Sequence, residues 1–144
     1  MSGNWSWTKR VDFPSRLGDH LPFLEEVLAE LTKLGWDGRD HFGVQMTLEE
    51  TLTNSIRHGN GCDPSKLVTA ECKISKDRFW LSVEDEGEGY KPADVPDCTA
   101  DENLEAHGGR GMLLINCYMA EVSFNEKGNR ITVATHRGFG ADES

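Results

Sequence analysis

Glu50 and Asn54 stand four residues apart in the run Glu49-Glu50-Thr51-Leu52-Thr53-Asn54-Ser55-Ile56-Arg57-His58-Gly59. On a helix that spacing projects both side chains from one face, a turn apart. A carboxylate there can polarise a water or a hydroxyl and take its proton. An asparagine carbonyl is a neutral oxygen ligand, and Mg²⁺ needs few protein ligands because it keeps waters and substrate phosphates. Taken alone, such a pair is far more often part of an ordinary solvated helix face. A second group follows in Asp85-Glu86-Gly87-Glu88-Gly89-Tyr90. A carboxylate at a strand end can accept a hydrogen bond from an exocyclic amine such as that of adenine. The two glycines, Gly87 and Gly89, allow close backbone approach. A third group, Gly108-Gly109-Arg110-Gly111, leads into an apolar helical pattern. Free N–H groups at a helix start bind phosphate, and Arg110 adds a cation. No GKS or GKT follows, so this is not a Walker A loop. Each group is weak by itself, and their order along the chain carries the information.

Those groups need elements to hold them. Trp5, Trp7, Lys9, Val11 and Phe13 alternate with more polar partners, which predicts an opening strand ended by Pro14. Residues 19–34 read as a helix with Asp19 as N-cap, Gly35 beyond its end and an apolar stripe of Leu21, Leu24, Val27, Leu28, Leu31 and Leu34. Residues 39–58 read as a longer helix, with Asp37 as cap. Val44, Leu48, Leu52 and Ile56 form one ladder on it, and Glu50, Asn54 and His58 form another on nearly the opposite side. Lys66–Ser75 and Arg78–Glu84 predict a hairpin turning at Lys76-Asp77. Residues 86–107, with Pro92 and Pro96, show no periodicity and predict a functional lid. Gly108–Met119 reads as a glycine-led helix, Ala120–Asn125 and Arg130–His136 as a second hairpin, and the polar tail from Gly138 is expected to fray. This order predicts an α+β fold: a two-layer α/β sandwich, its mixed, mostly antiparallel sheet carrying the helices on one face.

The 144 residues fit one domain, 1–144, with a core of its own. The formal charge is −10, from 25 acidic and 15 basic residues, which repels nucleic acid and anionic membrane. No run of apolar residues is long enough to span a bilayer, and the N-terminus has no secretory h-region. Cys62, Cys72, Cys98 and Cys117 form no CxxC or Cys/His zinc pattern, and a reduced, cytoplasmic chain is the simplest expectation. An acidic balance does not oppose an ATP site, where a cation and local dipoles dominate.

Taken together, these residues resemble the GHKL ATPase superfamily, and within it the small bacterial anti-sigma-factor serine/threonine kinases of partner-switching systems. The resemblance covers residues 10–137. Glu50-x-x-x-Asn54-x-x-x-His58-Gly59 resembles the N box of that family, Asp85-x-Gly87-x-Gly89 its first glycine box, and Gly109-Arg110-Gly111 its second. The resemblance implies Glu50 as catalytic base, Asn54 as Mg²⁺ ligand and Asp85 on the adenine amine. It implies Gly87 and Gly89 along the base pocket, and Gly109, Arg110 and Gly111 at the phosphates. It further implies ATP and Mg²⁺, a serine on an anti-sigma-factor antagonist as phosphate acceptor, a sigma factor as the other partner, and a homodimer. Two positions depart from the pattern. His107 stands where some members carry an arginine near the γ-phosphate, leaving Arg110 or Arg57 as the candidate cation. Asn129 follows Gly128 where some members place a threonine near the base, and an asparagine there can still hydrogen-bond a base or a bridging water. The expected activity is an ATP-dependent protein serine/threonine kinase that doubles as an anti-sigma factor. The alternative is an ATP-binding module that sequesters a partner without phosphotransfer.

Overall fold

The computed structural model describes residues 5–87 and 109–140, and the backbone alone at 109–111. Five strands form one sheet: β1 (Trp7–Pro14), β2 (Leu67–Ile74), β3 (Arg78–Glu84), β4 (Glu121–Phe124) and β5 (Arg130–His136). Their order across the sheet is β1-β2-β3-β5-β4, and all four pairings are antiparallel. Three α-helices, α1 (Leu21–Lys33), α2 (Gly38–Asn54) and α3 (Gly109–Tyr118), join them. This is the α+β two-layer arrangement the sequence predicts.

Alternation builds the interface between the layers, although Ser82 of β3, on the other face, is buried as well. Val68, Ala70, Cys72 and Ile74 of β2, Phe79, Leu81 and Val83 of β3, and Val133 of β5 are buried. The intervening residues carry charge pairs across the open face, among them Arg10 opposite Glu71 and Glu84 opposite Arg130. From the helix layer, Val44, Leu48 and Leu52 of α2 and the following Ile56 are fully buried, so the apolar ladder read from spacing is the seam against the sheet. On α1, Leu24, Val27 and Leu31 are buried, but Leu21 is 43% exposed and Phe23 takes its place in the core.

Several boundaries differ from expectation. Asp19 does not cap α1: His20 holds the N-cap position without a side-chain cap bond, Pro22 sits in the first turn, and Asp19 accepts instead from Arg16 Nε at 3.0 Å. The tail does not fray at Gly138. The Arg137 guanidinium donates to the carbonyls of Gly35 (2.9 Å) and Lys76 (3.2 Å), and the Gly138 N–H donates to the Asp40 carboxylate. The chain is thereby tied to the start of α2 through Gly140, where the described residues end. The largest difference lies at residue 55. The helix expected over 39–58 stops at Asn54, and Ser55–Gly59 form a π turn whose Asn60 N–H reaches back to the Ser55 carbonyl at 2.9 Å. Most of the expected lid, including Gly89 and His107, lies outside the described residues. No described helix is long and apolar enough to cross a membrane. Cys62, Cys72 and Cys117 are free.

Candidate functional site

Between the helix layer and one end of the sheet is a cavity of about 390 Å³. Its apolar wall is a row of cross-strand neighbours. Val83 of β3 pairs with Ile131 of β5, and Ile131 pairs with Phe124 of β4. Met112 and Ile115 of α3 complete that wall. Its polar wall comes from the end of α2 and the π turn, through Thr51, Asn54, Ser55, His58 and Gly59, and from Lys66, Asp85, Glu86, Gly87, Gly128 and Asn129. An apolar slot with a few convergent polar groups is the usual form of a site for a flat heteroaromatic ligand.

Asp85 is the best-defined polar group in it. Its N–H donates to the Asn129 carbonyl (2.9 Å), and its own carbonyl accepts from Asn129 Nδ2 (2.7 Å). The carboxylate accepts from the Gly87 N–H at 2.8 Å and from the Ser55 hydroxyl. Burial raises the affinity of this carboxyl for its proton, and the bonds from Gly87 and Ser55 oppose that effect. The two neighbouring glycines are sterically required. A Cβ on Gly59 would collide with the Asp85 carboxylate, and one on Gly87 would collide with the Gly59 carbonyl. Gly59 is the last residue of the π turn, so the turn ends directly against the segment after β3.

Asn54, Asp85 and Gly87 are therefore brought together on one cavity. Glu50 sits one turn earlier on α2 and is not among the lining residues. Burial raises its carboxyl above the usual range, its neighbour Glu49 pushes the same way, and Arg57 pulls it back. His58 lines the cavity, but from the π turn and not from an unbroken helical ladder with Glu50 and Asn54. The surroundings of Gly109, Arg110 and Gly111 lie outside the described set, although the helix α3 starts at Gly109. Among the described residues no group of three His, Cys, Asp or Glu could hold a metal ion. A divalent cation here would rest on the Asn54 carbonyl and on ligand phosphates, a donor set that suits Mg²⁺.

Sequence reasoning passed over Ser55, Asn60 and Lys66. Ser55 shows no helical or strand signal that separates it from any other polar residue. Asn60, 3% exposed, donates from Nδ2 to Ser15 Oγ (2.7 Å) and to the Leu67 carbonyl (3.0 Å), and its Oδ1 accepts from the Glu86 N–H (2.8 Å). The Glu86 carboxylate in turn accepts from the Leu67 N–H. Asn129 also differs from its expected role: both ends of its amide are engaged within the protein, Nδ2 on Asp85 and Oδ1 on Asn125 Nδ2 at 2.8 Å.

The chain is similar to several known proteins. An anti-sigma F factor of Clostridium perfringens is 33% identical over 94 residues, 61% of this chain and 66% of that protein. The chain thus spans just under two thirds of that relative's length. An anti-sigma F factor of Clostridium novyi is 29% identical over 137 residues, 91% of this chain and 93% of that protein. The serine-protein kinase RsbW of Bacillus licheniformis is 26% identical over 99 residues, 63% of this chain and 61% of that protein. The family model of the histidine kinase-like ATPase domain matches residues 13–135. With the family model matching nearly the whole chain, the protein belongs to the histidine kinase-like ATPase family.

Proposed function

We propose that this chain binds ATP with Mg²⁺ in the cavity and transfers the γ-phosphoryl group to a serine of a protein partner, while a second partner, a sigma factor, is held in the alternative complex. The observation that carries the reading is Asp85: a half-buried carboxylate with a fixed backbone and two internal donors, lining a cavity of about 390 Å³ with an apolar wall. In this reading the free acceptor capacity of Asp85 takes the adenine amine, and the row Val83, Ile131 and Phe124 packs against the ring. Gly87 lines the base pocket with Gly89, and Gly109, Arg110 and Gly111 approach the phosphates. Asn54 would hold the cation, which would supply neutralisation of the phosphate charge. Glu50 takes the proton of the serine hydroxyl as its oxygen attacks the γ-phosphorus and the bond to the β-phosphate oxygen breaks, leaving ADP. A carboxyl raised by burial suits that task, because its basicity is closer to neutral pH. The names of the relatives, anti-sigma F factor and serine-protein kinase, support a sigma factor as one partner and a protein serine as acceptor; we assign that serine to an anti-sigma-factor antagonist. We place the reaction in the cytoplasm, where sigma factors act, and assign the active form as a homodimer.

Calorimetry with Asp85→Asn tests the nucleotide step. The substitution exchanges one acceptor oxygen for a donor and removes a charge-assisted bond of about 1.5–3 kcal/mol. ATP affinity is expected to fall by roughly 10- to 150-fold. Equal affinities would remove Asp85 as the base-binding residue.

A further inference from the structure

We infer that Asn60 and Asn129 are positioning residues for the base-binding carboxylate: two amides that clamp the Asp85-Glu86 backbone from opposite sides and set nucleotide selectivity without touching the nucleotide. The inference rests on the proposed role of Asp85. Each N–H from residue 85 to residue 87 has a defined acceptor. Asp85 donates to the Asn129 carbonyl (2.9 Å), Glu86 to Asn60 Oδ1 (2.8 Å), and Gly87 to Asp85 Oδ1 (2.8 Å). The Asp85 carbonyl is held by Asn129 Nδ2 at 2.7 Å.

Each clamp is itself anchored. Asn129 Oδ1 accepts from Asn125 Nδ2, and Asn125 Oδ1 accepts the N–H groups of Gly128 (2.8 Å) and Arg130 (3.0 Å), so the β4–β5 turn is rigidly tied to the end of β3. On the other side, Asn60 Nδ2 binds the Leu67 carbonyl and Ser15 Oγ, and the Ser15 hydroxyl donates to the Lys66 carbonyl at 2.7 Å. The segment after β3 therefore cannot shift without breaking bonds to Asn60, to Leu67 of β2 and to the β4–β5 turn. Small displacements of a hydrogen-bond acceptor weaken binding to a fixed donor steeply, since alignment governs the bond. A residue beside the base pocket can thus control selectivity with its own side chain turned into the protein.

The test compares ATP with the purine riboside triphosphate that lacks the 6-amino group, by calorimetry, in wild type, Asn129→Ala and Asn60→Ala. Wild type is expected to prefer ATP by about tenfold or more. Both variants are expected to lose most of that preference while affinity for the analogue changes less than about threefold. A general loss of stability or of packing would lower both affinities together and leave the ratio intact. Asn129 sits at the cavity rim and carries the test alone if Asn60→Ala does not fold. In an Asp85→Ala background Asn129→Ala is expected to have no further effect on ATP affinity. Retention of the wild-type preference in Asn129→Ala, or independent effects of Asn129 and Asp85, would overturn the inference. A wild type that binds both nucleotides equally would instead overturn the role of Asp85 on which it rests.

Discussion

Glu50 and Asn54 share a helix face, yet their proposed roles separate cleanly by experiment. Asn54→Ala removes a cation ligand, so ATP affinity is expected to drop in Mg²⁺ and to be unchanged in EDTA; calorimetry under both conditions reads the difference. Glu50→Gln is nearly isosteric and cannot take a proton. It is expected to leave ATP affinity within a few-fold while lowering transfer by about 10²–10⁴. Asp85 shows the opposing demands on a binding residue. Burial raises its carboxyl, so in the folded state it contributes stability only at low pH and loses it as pH rises through the folded value. At neutral pH the charged form is therefore a cost to the unliganded fold. Thermal melts of Asp85→Asn at pH 7 are expected to show no loss of apo stability, together with loss of the stabilisation that ATP gives wild type. Asp85 was legible in the sequence because a carboxylate between a strand and glycines is a local pattern. Asn60 was not, because its partners Ser15, Leu67 and Glu86 are brought to it only by the assembled sheet.

At the scale of elements, spacing carried most of the fold. Val44, Leu48, Leu52 and Ile56 recur every fourth residue and all reach the core, and alternation in β2 and β3 places each side chain on its proper face. The π turn could not be read this way. Its i to i+5 bonding has no apolar period of its own, and Ile56 remains in register on the buried side, so the ladder shows no break at Asn54. Asp37 does hold the N-cap position of α2, but Asp19 misled: it has the right side chain for a cap, yet the chain turns at His20 and the carboxylate finds Arg16 instead. The π turn also makes a specific demand. Gly59→Ala places a methyl group against the Asp85 carboxylate, and relief requires either the turn or the end of β3 to move. Overpacking of this kind costs about 1–3 kcal/mol, and the shift is expected to weaken ATP binding as well. Denaturant unfolding and calorimetry on the same variant check both effects.

Across the whole molecule, the helices cover one sheet face and the nucleotide cavity opens where that cover ends. Ligand binding should therefore be read as global stability. With ATP at about 100 times its Kd, linkage predicts about 2.7 kcal/mol of stabilisation, a rise in Tm of about 6–12 °C. A second whole-molecule dependence comes from His20, buried at the junction of α1 with the rest of the helix layer. Burial lowers its imidazole below the usual range, against the pull of Glu49 and Asp19. Its contribution is present above the ordinary histidine value of 6.5 and is lost as pH falls through the lower folded value. His20→Gln is expected to flatten that part of the acid limb in a series of melts below pH 6.5.

The central claim is that this fold transfers phosphate rather than merely holding a nucleotide. Its most direct test is incubation of the chain with γ-labelled ATP, Mg²⁺ and the serine-bearing antagonist, with the label located on the protein product. Label is expected on one serine of the antagonist, formed by wild type and slowed by about 10²–10⁴ in Glu50→Gln. A wild-type chain that binds ATP and both partners yet transfers no label would contradict it and leave a sequestering module in its place.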